Sequence, residues 1–189
     1  AGAVTESTHQ NRLSHLGGLW REQPLLAAGS GAAAATLAAL PLTIGFFKDE
    51  LFFAAALEHG WGVALLAGFG AALTFAYIGR FWTGLFLGPR RTPARPVPAR
   101  LIVPVAILGA IGIFGGIIAG PAVDLAEQAG EATLGAPAAI DPAYHLDARA
   151  ENLLALGAYA IGGLLLAVPS LWRGVASAAA LFGERLGPE

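Results

Sequence analysis

Three charged side chains stand side by side in "PLTIGFFKDELFF", residues Pro41–Phe53: Lys48, Asp49 and Glu50. The chain around them is strongly apolar. An ionisable group at membrane depth costs about 2.5–3.5 kcal/mol even on a lenient insertion scale, and it usually faces a partner or a wet cavity. Desolvation disfavours a charged ammonium, and a neighbouring carboxylate favours it again. Opposed influences of this kind suit a group that must gain and lose a proton at modest cost. Lys48, Asp49 and Glu50 are therefore expected to act as a proton relay. The plainer reading is a static ion pair, or an interfacial cluster where a span ends. The apolar "LFFAAAL" that follows argues that the cluster is embedded.

A second basic residue, Arg80 in "TFAYIGRFW", also falls inside an apolar stretch, roughly two turns from its end, where it can snorkel to the interface. Other chemistry has little support. Cysteine is absent, so disulfides and thiolate metal sites are excluded. His9, His15, His59 and His145 have no metal-ligand spacing. Nucleophile–histidine pairs, phosphate-cradling glycine loops and dinucleotide fingerprints are not found. No cofactor and no metal are expected, and soluble catalysis has no sequence support.

The positioning elements follow from composition. The 189 residues are 56% hydrophobic and 13% charged, where a soluble domain carries roughly a quarter charged residues. Mean hydropathy is +0.63, and apolar runs reach or pass the ~18 residues that cross a bilayer. The expected fold is an all-α polytopic transmembrane helix bundle of about four spans. A net charge of −2 gives no reason to expect a nucleic-acid partner.

The first span, Pro24 to about Glu58, is too long for one straight crossing. Its ~35 residues would make a helix of ~52 Å, against a hydrocarbon core of ~30 Å. Pro41 and Gly45 lie near its middle, and proline removes an amide donor and clashes with the preceding turn. The span is expected to be discontinuous, with half-helices at about 24–40 and 46–58. Such a break survives at membrane depth only where protein or a water-filled cavity surrounds it. A single tilted, kinked helix is the alternative.

Further spans are expected at about 61–87, 101–122 and 152–171. The chain then divides into a leading segment 1–23, the broken helix and next span 24–88, a basic proline-rich linker 89–100, two spans 101–172 and a tail 173–189. The tail is expected to be cytoplasmic or interfacial. Between the third and fourth spans an acidic external loop carries Asp124, Glu127, Glu131, Asp141, Asp147 and Glu151. Gly112, Gly116 and Gly120 recur every four residues, a spacing that lets helices approach closely in lipid, here against another helix of the chain or of a partner protein.

Basic residues give the orientation. Arg12, Arg21, Arg90, Arg91, Arg95, Arg100, Arg173 and Arg185 share one side of a four-span arrangement, and only Arg149 falls opposite. Because such residues accumulate on the cytoplasmic side, both ends of the chain are expected there, in a cell membrane. No basic region followed by an apolar core opens the chain, so no signal peptide is expected.

"AGAVTESTHQNRLSHLGGLW", a small-residue helix, "ALPLTIGFFKDELFF" and "TFAYIGRFWTGLFLGP" together resemble the MrpA component of Mrp-type multisubunit cation/proton antiporters. They are similar, less closely, to the largest antiporter-like subunit of respiratory complex I. The resemblance covers residues 1–90 well and is loose from 100 onward. It implies a protonatable lysine on a broken helix, a role that maps onto Lys48, with Asp49 and Glu50 as acidic neighbours and Arg80 as the basic residue of the next helix. Many relatives place a serine before that lysine, whereas Lys48 follows Phe47 directly, so either Lys48 or Asp49 holds the family lysine position. The family's earlier helices do not precede these, which implies a fragment or split subunit.

The resemblance further implies proton translocation coupled to sodium or potassium exchange, with the other subunits of a membrane complex as partners. The equivalent part of an NADH:quinone oxidoreductase is the alternative, and a non-transporting structural membrane fragment a third reading.

Overall fold

The computed structural model describes residues 2–137, 139 and 148–186. Asp141, His145 and Asp147 lie outside the described residues, as does the side chain of Arg185. The described residues form eight α-helices: α1 Gly2–Thr8, α2 Pro24–Leu37, α3 Ile44–Glu58, α4 Trp61–Phe86, α5 Ala99–Ile117, α6 Gly120–Leu134, α7 Ala150–Ala167 and α8 Pro169–Leu186. Among them α4, α5 and α7 are long and apolar enough to cross a membrane, and α2 is a shorter apolar helix. The protein is a polytopic helical bundle.

Its packing follows the logic of lipid rather than water. Many of the residues buried along the long helices are small, Ala64, Ala72 and Ala76 on α4 and Ala155, Ala158 and Gly162 on α7, with large ones such as Leu85 and Phe86 buried toward one end of α4. Large apolar side chains such as Leu66, Leu108, Phe114 and Leu156 point outward. Without a hydrophobic drive between helices in lipid, close backbone approach supplies the contact. The bundle consists of two tight pairs, α2 with α5 and α4 with α7, with α3 touching α4, α5 and α7.

The glycine stripe on α5 serves the first pair. Cβ atoms on Gly109 and Gly112 would overlap the Gly29 carbonyl and the Thr36 hydroxyl of α2, and one on Gly116 would overlap backbone at Leu42 and Thr43. Gly120 does not belong to this stripe. Helix α5 ends at Ile117, where the backbone at Ile118 leaves helical geometry, and Gly120 opens α6 with nothing within 4 Å of its Cβ position. The third member is Gly109, and the stripe packs inside the chain.

A second correction concerns the acidic loop. Residues Gly120–Leu134 are helical. Asp124, Glu127 and Glu131 repeat at three and four residues, which places them on one face of that helix.

One end of the bundle is stapled. Leu16, Leu19, Leu26, Ala27, Leu85 and Phe86 form a buried cluster. The Glu22 carboxylate pairs with the Arg90 guanidinium at 2.6 Å and accepts from the Ala94 amide at 3.1 Å. Arg91 donates to the Ser14 carbonyl at 2.8 Å, and Thr92 to that of His15 at 2.7 Å. The leading segment and the basic linker therefore lie at the same end. Gly18 makes this possible: its φ is +69°, and a Cβ there would meet the Arg90 amide nitrogen at 2.9 Å.

Candidate functional site

Helices α2 and α3 have 14 and 15 residues, lengths of about 21 and 22 Å, so neither alone matches a ~30 Å hydrocarbon core. The residues between them, 38–43, are not helical. Their backbone explains the stop. The Leu40 amide donates to the Ala35 carbonyl and the Ala39 amide to that of Thr36, the paired bonds of a Schellman ending. That ending requires a left-handed residue, and Ala39 supplies it with φ +54°. A side-chain-bearing residue there costs about 1–2 kcal/mol where glycine would cost little. Leu42, with φ +68°, adds a second such position. Pro41, between them, has no amide to continue a helix. Thr43 then stands at the N-cap position of α3 in an extended conformation, its hydroxyl donating back to the Leu40 carbonyl at 2.7 Å.

Gly45 acts differently from Pro41. It is the second residue of α3 and is buried. A Cβ there would overlap the Thr36 carbonyl oxygen, so Gly45 lets the start of α3 approach the end of α2.

Lys48 is the fifth residue of α3, just past the first turn. Its ammonium lies 2.9 Å from Asp49 Oδ1; the lysine side chain is 66% exposed and the aspartate 15%. Adjacent helical residues diverge by about 100°, so the long lysine stem folds sideways to reach its neighbour. The pair lines a cavity of about 640 Å³ between α3, α4 and α7, walled by Leu66, Gly70, Thr74 and Ala155. Lys48 also lines a second cavity of about 370 Å³, which it shares with Glu50, Arg149 and Glu151. The acidic neighbours thus divide: Asp49 faces the first cavity and Glu50 the second, with the lysine bordering both.

Arg80 is not brought to this group. It lies six residues beyond Thr74 on α4, about 9 Å along the axis, and lines a different cavity with Ser14, Gly17 and Arg91. Its guanidinium sits over the Trp172 ring, 5.6 Å from the centroid. The lower part of α4 carries it toward the stapled end.

Tyr159 of α7 also lines this site, and local sequence patterns do not reveal it. Its ring packs against Phe75 at 5.7 Å, it lines the Lys48–Asp49 cavity, and its hydroxyl donates to the Ala39 carbonyl in the helix break. One signal does exist: Tyr159 is the one side chain with a strong hydrogen-bonding group in "LLALGAYAIGGLLLA". Buried tyrosine hydroxyls usually find a partner.

Known proteins are similar to this chain in sequence and in fold. Residues 1–74 match the family model described as NADH:quinone oxidoreductase/Mrp antiporter, TM. NADH-quinone oxidoreductase subunit L of Pseudomonas aeruginosa is 34% identical over 174 residues, covering 88% of this chain and 26% of that protein. Subunit 14 of the Thermus thermophilus NADH-quinone oxidoreductase is 34% identical over 111 residues, covering 56% of this chain and 26% of that protein. In the structure of the Mrp complex from Dietzia sp. DQ12-45-1b, one chain superposes with a TM-score of 0.74 at 25% identity, over 100% of this chain and 23% of that one. The chain therefore spans about a quarter of the length of these relatives, which are subunits of multisubunit membrane complexes. With residues 1–74 matching that family model and the whole chain superposing on part of one Mrp-complex chain, this protein is similar to the antiporter-type membrane subunits of NADH:quinone oxidoreductases and Mrp complexes.

Proposed function

We propose that this chain is part of the proton-translocating membrane subunit of a multisubunit monovalent cation/proton antiporter, the counterpart of MrpA, exchanging protons for sodium or potassium. The observation that carries the reading is the Lys48–Asp49 pair at 2.9 Å, placed beside an interrupted helix and bordering two cavities. A lysine with a carboxylate on one side and a second acidic cavity on the other can pass a proton between them by small side-chain movements. Lys48 is the relay group, Asp49 its partner, and Glu50 the acid of the second cavity. In a lipid bilayer, the stapled end with Arg90, Arg91, Arg95 and Arg100 faces the cytoplasm.

The test is exchange by the intact protein in its native membranes. Everted vesicles with an imposed pH gradient should lose it when sodium or potassium is added. Lys48→Ala should reduce that response by more than about tenfold, a barrier change of ~1.4 kcal/mol or more. An unaltered response from an assembled Lys48→Ala complex refutes the relay and leaves the structural-fragment reading in its place.

A second reading has its own support, because the Pseudomonas and Thermus relatives are NADH-quinone oxidoreductase subunits. In that case NADH oxidation, rather than a cation gradient, drives the proton through the same residues. A gradient that forms on adding NADH and vanishes in Lys48→Ala selects it.

A further inference from the structure

We propose that Tyr159 is a positioning residue for the Lys48–Asp49 pair, acting by tying the helix break to α7. The inference rests on the proton-relay reading and extends it to a residue on another helix. Its hydroxyl donates to the carbonyl of Ala39, the left-handed residue on which the α2 ending turns. From Ala39 the chain runs through Pro41 and Thr43 directly into the first turn of α3, which Lys48 and Asp49 follow. Wherever Ala39 is held, the start of α3 is held with it.

The tyrosine lines the same cavity as the lysine and aspartate. Phe75 packs against its ring, and the small residues Ala155 and Ala158 bring α7 close to α4. The phenol is therefore fixed by packing while its oxygen retains acceptor capacity toward the cavity. A carbonyl in a non-helical stretch within a membrane bundle needs such a donor. When the hydroxyl holds Ala39, the break keeps one geometry and the ion pair one position. When it turns toward the cavity, the break is released and the pair moves relative to its two cavities. Tyr159 thereby couples α7 to the proton-bearing turn without itself carrying the proton.

The test compares Tyr159→Phe, Tyr77→Phe and Lys48→Ala in the intact protein in native membranes. Hydrogen–deuterium exchange at residues 38–46 is measured alongside the pH profile of proton exchange. Tyr159→Phe should raise amide exchange there by about three- to tenfold, the effect of one neutral hydrogen bond on a local opening. It should also displace the pH profile of transport. Tyr77→Phe removes a phenol hydroxyl from α4 outside the Lys48–Asp49 cavity and should leave the profile in place. Overturning results are unchanged amide exchange in Tyr159→Phe, an unchanged pH profile, or the same displaced profile in Tyr77→Phe. The amide measurement does not depend on transport, so failure of the relay reading appears separately, as a Lys48→Ala protein that transports normally.

Discussion

Gly45 lies so close to the carbonyl of Thr36 that the smallest side chain would overlap that oxygen. Two helix ends meet at this contact, and the whole placement of Lys48 depends on it. Neither neighbour can yield easily, because the obstructing atom is backbone in α2. Gly45→Ala should therefore destabilise the bundle by about 1–3 kcal/mol, the usual cost of overpacking. Gly163→Ala is the comparison: Gly163 lies inside α7 with nothing within 4 Å of its Cβ position, and alanine should add about 0.5–1 kcal/mol in a helix interior. Thermal unfolding of the detergent-solubilised protein separates them. Equal midpoints for the two variants would remove the steric argument for the α2–α3 approach.

Much of this architecture was legible in the sequence because apolar length is a strong signal. The spans at 61–87 and 152–171 agree with α4 and α7 to within a few residues, and residues 24–58 divide into the two helices α2 and α3. Three features were harder to read. The stretch 120–134 reads as loop when its acidic residues are counted, and as helix only when the spacing of Asp124, Glu127 and Glu131 is considered. Gly120 fits a four-residue repeat that the helix does not continue, since the α5 backbone turns away at Ile118. Tyr159 has no charge and no motif. Its meaning depends on a carbonyl 120 residues away in the chain, which no local pattern can reveal.

The Glu22–Arg90 pair makes a claim about the linker. Glu22 uses both carboxylate oxygens, one on the Arg90 guanidinium and one on the Ala94 amide. Arg90 is more than half exposed, so the ion pair contributes at most about 1 kcal/mol, with the amide bond adding a similar amount. Glu22→Gln should loosen residues 88–95 without unfolding the bundle. Limited trypsin digestion reads this directly, since Arg90 and Arg91 are cleavable and Arg95 is protected by Pro96. Cleavage should be faster in the variant, and salt should narrow the difference, because exposed pairs are screened. Identical digestion rates would mean that the hydrophobic cluster around Leu19 and Phe86, with the Arg91 and Thr92 hydrogen bonds, holds the linker without Glu22.

Arg80 and Lys48 are the two basic residues that sequence placed inside apolar spans, and the geometry separates them. Lys48 borders two cavities at the helix break, whereas Arg80 stacks on Trp172 near the basic linker. A cation over an indole ring at a partly exposed site contributes about 0.5–1 kcal/mol, here as a single side-chain link between α4 and α8. Arg80→Gln should lower stability by that much and leave proton exchange within about twofold of normal, a barrier change below ~0.5 kcal/mol. Unfolding and vesicle measurements on the same membranes give both quantities. Transport abolished in an otherwise stable Arg80→Gln protein would restore Arg80 to the proton path. The route would then have to pass along α4 from the Lys48 cavity to the stapled end, about 9 Å beyond Thr74.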